Sequence, residues 1–245
     1  MLTKIASTAI AALSLGSVVQ ARPGKSLAER SNIINNVWCG PVLAKTATSV
    51  SAVWTVPKAT VPSSGGSKDL MAYQWVGIDG VGGSHCGSAL LQGGTAQVYN
   101  SNGGFTYDFW FEFYSPDNTS SWHIQDPVVK AGDQVRVTAS VDNDYHGTIF
   151  FENLSRGTTH TEYAWSANTP LCYEHVEWIQ EAPVSLLPNF KDFSFTQMTA
   201  SDANGNTFNA AGSDLWYLDS KGAKCSASLT DNGDTAIITN KVALH

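Results

Sequence analysis

The chain has 245 residues, of which 42% are hydrophobic and 14% charged, and its formal net charge is −7. This length and apolar content suit one large domain, or two small ones, with a substantial core. An acidic balance of this kind does not favour nucleic acid or an anionic membrane surface as a partner.

The first residues have the pattern of a secretory signal peptide. Lys4 precedes a short apolar run, and Val19-Gln20-Ala21 offers a small-x-small cleavage site. The alternative is a buried N-terminal helix. We predict a signal peptide over residues 1–21, a short pro-segment over 22–30 and one domain over 31–245, in a secreted, extracellular protein. No segment approaches the ~20 apolar residues of a membrane-spanning helix, so no membrane partner is expected.

Removal of residues 1–30 would take four basic residues and one acidic residue, leaving 10 basic and 20 acidic residues. With so few basic residues, protonation of the carboxylates leaves only a modest positive charge, and self-repulsion in acid is weak. The composition therefore predicts tolerance of low pH.

Covalent features also point to the secretory route. The chain has four cysteines: Cys39, Cys86, Cys172 and Cys225. In a secreted chain they predict two disulfides, for which the sequence allows three connectivities. Their spacing fits no zinc motif, so no metal and no cofactor is expected. Asn118-Thr-Ser and Asn153-Leu-Ser are glycosylation acceptors typical of surface turns.

Short runs rich in Val, Ile, Thr and aromatic residues, separated by Gly, Ser, Asn and Asp, continue to the end of the chain. The predicted strands are 48–56, 70–78, 88–92, 96–99, 105–114, 134–141, 147–154, 162–166, 174–180, 193–198 and 236–242. No helical period of ten or more residues follows the signal peptide. The pattern predicts an all-β antiparallel sandwich or barrel.

The strand at 105–114 has two contrasting faces. One face carries Tyr107, Phe109, Phe111 and Phe113, and the other carries Asp108, Trp110, Glu112 and Tyr114. Alternating acids and large aromatic residues predict the floor of a binding groove. The alternative is an exposed face with incidental aromatic residues.

Two further strands place polar groups beside apolar ones. Trp75 and Asp79 share a face of the strand at 70–78 and its continuation, although Asp79 could instead cap a turn. Gln92 ends an apolar run before Gly93-Gly94. Its amide can donate hydrogen bonds without ionising, and the alternative is an ordinary Gln at a strand end.

The stretch 171–183 carries two acids on one strand face, Glu177 and Glu181. A buried lone carboxylate costs several kcal/mol or shifts its pKa. The pair is therefore either functional or part of a solvated edge strand. The motifs of aspartic, serine and zinc peptidases are missing from the sequence.

Four motifs, in order, resemble those of the fungal glutamic peptidases, or eqolisins. They are Trp75-Val-Gly-Ile-Asp79-Gly80, Leu90-Leu-Gln92-Gly93, Tyr107-Asp-Phe-Trp-Phe-Glu112-Phe-Tyr114 and Glu177-Trp-Ile-Gln-Glu181. The resemblance extends from about Trp38 to the C-terminus. It implies a concanavalin-like sandwich of two large curved antiparallel sheets. It also implies an acid endopeptidase, insensitive to pepstatin, that acts on proteins or peptides; we expect a monomer.

The resemblance also implies roles for single residues. Gln92 and Glu181 correspond to the catalytic pair. The substrate groove would be formed by Trp75, Asp79, Asp108, Glu112 and, on the same face, Trp110. The implied disulfides are Cys86–Cys172 and, as the second pair, Cys39–Cys225. Gln180 and Ala182, which flank Glu181, depart from the family pattern, as does the short pro-segment.

The predicted chemistry follows from the pair. Ionised Glu181 would take a proton from water and later return it to the leaving amine, while Gln92 stabilises the oxyanion. Nearby acids would be protonated in acid and repulsive at neutral pH, so activity should fade toward pH 7. Two alternatives remain: a glycoside hydrolase that uses Glu112 and Glu181, or a non-catalytic glycan-binding module that uses the groove aromatics.

Overall fold

A computed structural model describes residues 32–63, 70–82, 89–100, 102–183, 186–220, 223–230 and 232–240. These ranges contain no helix, and hence none long and apolar enough to cross a membrane. The strands are β1 (Asn32–Asn35), β2 (Trp38–Ala44), β3 (Ser49–Thr55), β4 (Met71–Asp79), β5 (Leu90–Tyr99), β6 (Phe105–Tyr114), β7 (Trp122–Ile124), β8 (Gln134–Asn143), β9 (His146–Asn153), β10 (Thr158–Trp165), β11 (His175–Glu181), β12 (Phe193–Ser201), β13 (Thr207–Phe208), β14 (Asp214–Ser220), β15 (Ala223–Leu229) and β16 (Ala236–Asn240). The all-β prediction is confirmed.

The strands form one continuous ladder that folds over itself into two layers. Its order is β10-β9-β8-β3-β12-β16-β15-β14-β2-β11-β4-β5-β6-β7, with β1 beside β14 and β13 beside β12. Every pair in the main ladder is antiparallel, whereas β1 runs parallel to β14. Buried residues of β8 and β9, such as Val137 and Phe151, share a core with Val76 of β4 and Phe109 of β6. The two layers of the predicted sandwich are therefore halves of one sheet joined through β12.

One strand, β5, replaces the two that the sequence predicted on either side of Gly93-Gly94. A Cβ at Gly93 would lie 2.5 Å from Ile149 Cγ2 of the facing layer, and a Cβ at Gly94 would lie 1.8 Å from the Gln74 carbonyl oxygen. The two glycines allow the backbone of β5 to lie close to Ile149 and to β4, and they do not form a turn. Because β5 continues through them, Gln92 lies within the sheet and not at a strand end.

Six strands were not predicted: β1, β2, β7, β13, β14 and β15. The most important is β2, whose Gly40 and Pro41 are unusual inside a strand and obscured it in the sequence. Gly40 has a φ of 153°. Because β2 pairs with β11, the latter lies between β2 and β4. The interpretation of Glu177 and Glu181 as surface acids on an edge strand is therefore wrong.

The disulfide Cys39–Cys225 is confirmed and joins β2 to β15 with a Cα–Cα distance of 5.9 Å. Cys172 is also disulfide-bonded. Its predicted partner, Cys86, lies outside the described residues, so that pairing stays a prediction. The predicted signal peptide (1–21) and pro-segment (22–30) also lie outside them.

The two glycosylation acceptors have different surroundings. The Asn153 side chain is 1% exposed, and its Nδ2 donates to Asp133 Oδ2 (2.9 Å) and to the Val128 carbonyl (3.2 Å). Its predicted place on a surface turn is wrong, because the amide holds a buried hydrogen-bond network. Asn118 lies half-buried in the turn after β6, and its glycosylation stays a prediction.

A buried network of amides lies behind β4, β5 and β11. Gln74 Nε2 donates to Gln97 Oε1 (2.7 Å) and Gln180 Oε1 (2.8 Å), and Gln97 Nε2 donates back to Gln74 Oε1 (2.8 Å). Thr95 Oγ1 donates to Gln74 Oε1 and accepts from Trp54 Nε1 of the facing layer. Fully satisfied buried networks specify one arrangement of the strands that carry them.

Gln180, one of the departures from the family pattern, belongs to this network. Its Nε2 donates to the Glu181 carbonyl oxygen (2.9 Å), and its Oε1 accepts from Gln74. The network therefore connects the backbone at Glu181 to β4 and β5. These hydrogen bonds favour the observed register of β11.

Replacement of Gln74 by Ala should destabilise the fold by about 2–4 kcal/mol, because it leaves the buried amide of Gln97 and Oε1 of Gln180 without partners and the Thr95 hydroxyl without an acceptor. Urea unfolding measures this change. The control is Gln134→Ala on the exposed end of β8, which should stay within about 0.5 kcal/mol of the wild type. Equal stability of the two variants would contradict the proposed role of the network.

Candidate active site

The outer face of β11, β4, β5 and β6 forms the floor of a groove. Directly opposed residues across these strands form two polar rows. The first row is Glu177, Gly77, Gln92 and Glu112. The second row is Glu181, Tyr73, Ala96 and Asp108. Opposed residues share a face, so the register brings the predicted catalytic residues to the same side of the sheet.

Gln92 and Glu181 both line one cavity of about 550 Å³ in this groove. Glu112 and Trp110 line it from β6, and Trp38 lines it from the start of β2. The cavity thus combines a neutral amide, two carboxyl groups and aromatic walls. Such a combination suits a polar ligand with apolar side chains.

The amide of Gln92 is only 5% exposed and has one strong partner. Its Nε2 donates to Glu112 Oε2 at 2.8 Å. Its Oε1 is buried and has no hydrogen-bond partner among the described residues. Because an amide nitrogen carries two hydrogens, one remains available to a ligand in the cavity.

Glu181 Oε2 accepts a hydrogen bond from Trp75 Nε1 at 2.7 Å. Burial raises the pKa of Glu181 to about 7, and the charge of Glu112 adds to the rise. Hydrogen bonds from Trp75 and Trp38 act in the opposite direction. Glu181 is therefore a carboxyl group that can both hold and release a proton in mildly acidic to neutral water.

Glu112 is 7% exposed, and burial raises its pKa above that of an ordinary Glu. The hydrogen bond from Gln92 opposes this rise because it favours the charged form. The charge of Glu112 adds to the rise in the pKa of Glu181, for which burial is the largest cause.

The five predicted substrate-binding residues have different positions. Trp110 and Glu112 line the cavity. Trp75 is fully buried beneath Glu181 and holds it by the hydrogen bond described above. Asp108 lies on the groove face, where its Oδ2 is 3.6 Å from His123 Nδ1. The fifth residue, Asp79, does not line the cavity.

Asp79 caps the loop that leads into β11. It has a φ of 72° and is 3% exposed. Its carboxylate accepts hydrogen bonds from four successive backbone N–H groups: Cys172 (2.7 Å), Tyr173 (2.8 Å), Glu174 (2.7 Å) and His175 (3.4 Å). The turn-capping alternative therefore describes this residue, and Asp79 positions the strand that carries Glu181.

Glu177 shares the groove face with Glu181 but is completely buried. Neither carboxyl oxygen has a hydrogen-bond partner among the described residues. Burial raises the pKa of Glu177 well above its usual value, and the nearby Asp79 adds to the rise. Glu177 is therefore most stable in its neutral form.

Several residues of the groove were missed by the sequence analysis. Trp38 lies on β2, which was not predicted as a strand. Tyr73 is two residues from Trp75 on the same strand face, so strict alternation could have identified it. His123 lies on β7, a strand of three residues with no periodic signal.

The groove brings carboxyl and amide groups together in one cavity, and such groups can activate water and stabilise an oxyanion. The Peptidase A4 family model matches residues 36–239, and the chain belongs to this family of peptidases. The resemblance to the eqolisins is confirmed. No match is found among curated proteins.

Three solved structures have the same fold. Scytalidoglutamic peptidase, solved with a transition-state analogue inhibitor, is 24% identical, with 84% of this chain and 98% of that chain covered and a TM-score of 0.68. SCP-B, an eqolisin solved with the tripeptide Ala-Ile-His, is 22% identical over 84% and 98%, with a TM-score of 0.61. Aspergilloglutamic peptidase from Aspergillus niger is 29% identical over 70% and 99%, with a TM-score of 0.60.

Buried Glu177 should make the fold less stable as the pH rises. Its pKa is raised in the folded state, so its contribution is complete below the unfolded pKa of about 4.3 and is lost toward the raised value. Glu177→Gln, which cannot ionise, should reduce the loss of unfolding free energy above pH ~4.5 by up to about 1.4 kcal/mol per pH unit.

Urea unfolding between pH 3 and 7 checks this expectation. Glu174→Gln, at a half-exposed position just before β11, is the matched control and should keep the wild-type pH dependence. If Glu177→Gln and the wild type lose stability in parallel, Glu177 is ionised in the folded state and the account of its burial is incorrect.

Proposed function

We propose that this peptidase is a secreted, acid-active endopeptidase in which Glu181 and Gln92 form the catalytic dyad. The observation that carries the proposal is that a carboxyl group with a raised pKa and a hydrogen-bond-donating amide line the same cavity. Proteins or peptides are the expected substrates, and the tripeptide bound to SCP-B supports this choice. The proposed chemistry uses side chains and water alone.

Peptide hydrolysis needs a base for water, a donor for the oxyanion and an acid for the leaving amine. Ionised Glu181 takes a proton from a water that attacks the carbonyl carbon, and the protonated Glu181 then passes that proton to the amine. The free hydrogen of Gln92 Nε2 donates to the oxyanion, and loss of one such donor typically costs about 10²–10³ in rate.

The raised pKa of Glu181 places a condition on this sequence of steps. Glu181 must be ionised to act first as a base, yet with a pKa of about 7 it is mostly protonated in acid. Part of that rise comes from the charge of Glu112, which disappears when Glu112 itself is protonated. The proposed active form carries one proton on the pair, with Glu112 neutral and Glu181 ionised. Because burial raises the pKa of Glu181 further than that of Glu112, this is the minor of the two singly protonated forms.

A neutral Glu112 also favours the oxyanion. Glu112 contacts the Gln92 amide, so an ionised Glu112 would place a negative charge close to the developing oxyanion. Ionisation of Glu112 thus opposes the reaction and raises the pKa of the base. This physical account supports loss of activity toward pH 7.

The dyad is tested by proteolysis of a denatured protein at acid pH in the presence of pepstatin. The wild type should be active. Glu181→Gln should lose measurable activity because its side chain cannot accept the proton, and Gln92→Ala should lose about 10²–10³ in kcat. Glu174→Gln serves as the control and should match the wild type. An active Glu181→Gln variant would exclude this mechanism.

The shared proton is tested by the pH dependence of kcat/KM, which reports ionisations of the free enzyme. The wild type should give a bell-shaped profile. In Glu112→Gln, the limb at low pH should move to lower pH, because Glu181 loses a repulsive neighbour, and the limb at high pH should disappear. An identical profile in both proteins would show that Glu112 does not control Glu181.

A further inference from the structure

The side chains of Tyr73 and His123 meet across the groove. Tyr73 lies on β4 and His123 on β7, which are three strands apart in the ladder. At a strand spacing of about 4.8 Å, their backbones are about 14 Å apart. Their side chains nevertheless form a hydrogen bond, with Tyr73 Oη 3.1 Å from His123 Nε2. We call this contact the Tyr73–His123 bridge.

The bridge passes over β5 and β6 and covers the floor beneath it. The Tyr73 ring lies 4.7 Å from the Trp110 ring and 5.8 Å from the His123 ring, measured between centroids. Ala96, which is opposite Tyr73 on β5 and presents only a methyl group, is 1% exposed. Ser121 also hydrogen-bonds the Tyr73 hydroxyl.

Asp108 lies beside the outer end of the bridge. Its Oδ2 lies 3.6 Å from His123 Nδ1, and the two side chains are 15% and 29% exposed. Tyr73 lines the catalytic cavity, whereas Asp108 and His123 do not. The bridge therefore forms a wall with the catalytic groups on one side and an acidic side chain behind it.

The position of this wall follows from the strand register. The cavity reaches from Leu90 of β5, opposite Tyr114, to Tyr73 of β4 and Glu181 of β11, which lie opposite each other. The next outward-facing pair, Met71 and Val98, does not line the cavity. The groove thus ends at the bridge, close to the proposed base.

We propose that the Tyr73–His123 bridge determines specificity by limiting how far a peptide extends from the scissile bond on one side. Opening the bridge releases Asp108, whose carboxyl group then forms a subsite for a Lys or Arg side chain. This inference rests on the proposed peptidase site and adds a specificity determinant to it. Tyr73 and His123 bind or exclude substrate residues in this account and do not take part in proton transfer.

Few contacts hold the bridge closed from the outer side. One hydrogen bond joins Tyr73 to His123, and the His belongs to a three-residue strand at the end of the ladder. The neighbouring Trp122 is 63% exposed, so little packing holds this strand from outside. Loss of one ordinary hydrogen bond corresponds to about a threefold to tenfold change in an equilibrium constant.

The test compares Tyr73→Phe and His123→Ala with the wild type on two series of peptides, lengthened one residue at a time on either side of the cleaved bond. Tyr73→Phe keeps the ring and removes the hydroxyl. In both variants the ratio of kcat/KM for long over short peptides should rise about threefold to tenfold in one series only, mainly through a lower KM. The control is Tyr107→Phe, which removes a hydroxyl bound to the Ala59 N–H on the opposite face of β6 and should leave the ratio unchanged.

A second comparison tests Asp108. His123→Ala should favour peptides with Lys over those with Gln at the added position, and the further change Asp108→Asn should abolish that preference. A purely structural bridge would instead alter both series and all lengths equally, which would overturn the proposal, as would no change in either series. If the wild type cleaves no peptide, the proposed function fails. Calorimetric affinities of the same peptides for the wild type and the variants then test whether the bridge limits peptide length.

Discussion

The hydrogen-bonded register of β11, β4, β5 and β6 is the constraint on which the site depends. It places Glu181, Gln92 and Glu112 on one face, and a slip of one residue would turn all three into the core. Two sets of hydrogen bonds stabilise this register. One is the buried amide network around Gln74, on the core side of the sheet, and the other joins the Asp79 carboxylate to the loop before β11. Neither set contacts the cavity, yet both determine its chemistry.

The same burial links stability to acidic conditions. Glu177, Glu112 and Glu181 lie on one face of the sheet, and burial is the largest cause of the raised pKa of each. Every proton that leaves this set as the pH rises adds a charge where solvent is scarce. A protein arranged in this way loses free energy of folding as the pH rises.

The sequence predicted what alternation and motif order determine, and no more. Glu177 and Glu181 share a face because strand alternation requires it, and the all-β architecture follows from strand composition. Long-range packing decided the rest. Gly93-Gly94 resembles a turn until the facing Ile149 is known, and Asp79 leaves the groove because its backbone adopts a positive φ. His123 contacts Tyr73 from a strand three positions away in the ladder, and no local pattern encodes such a contact.

The central claim is that burial in the groove raises the pKa of Glu181 and that the charge of Glu112 adds to the rise. A ¹³C NMR titration of the Glu side-chain carboxyl groups, assigned with Glu112→Gln and Glu181→Gln, measures this directly. The account predicts that Glu181 titrates well above an exposed Glu and that its pKa falls when Glu112 is replaced. A Glu181 carboxyl that titrates near the ordinary value of about 4.3, in the wild type and in Glu112→Gln alike, would contradict it.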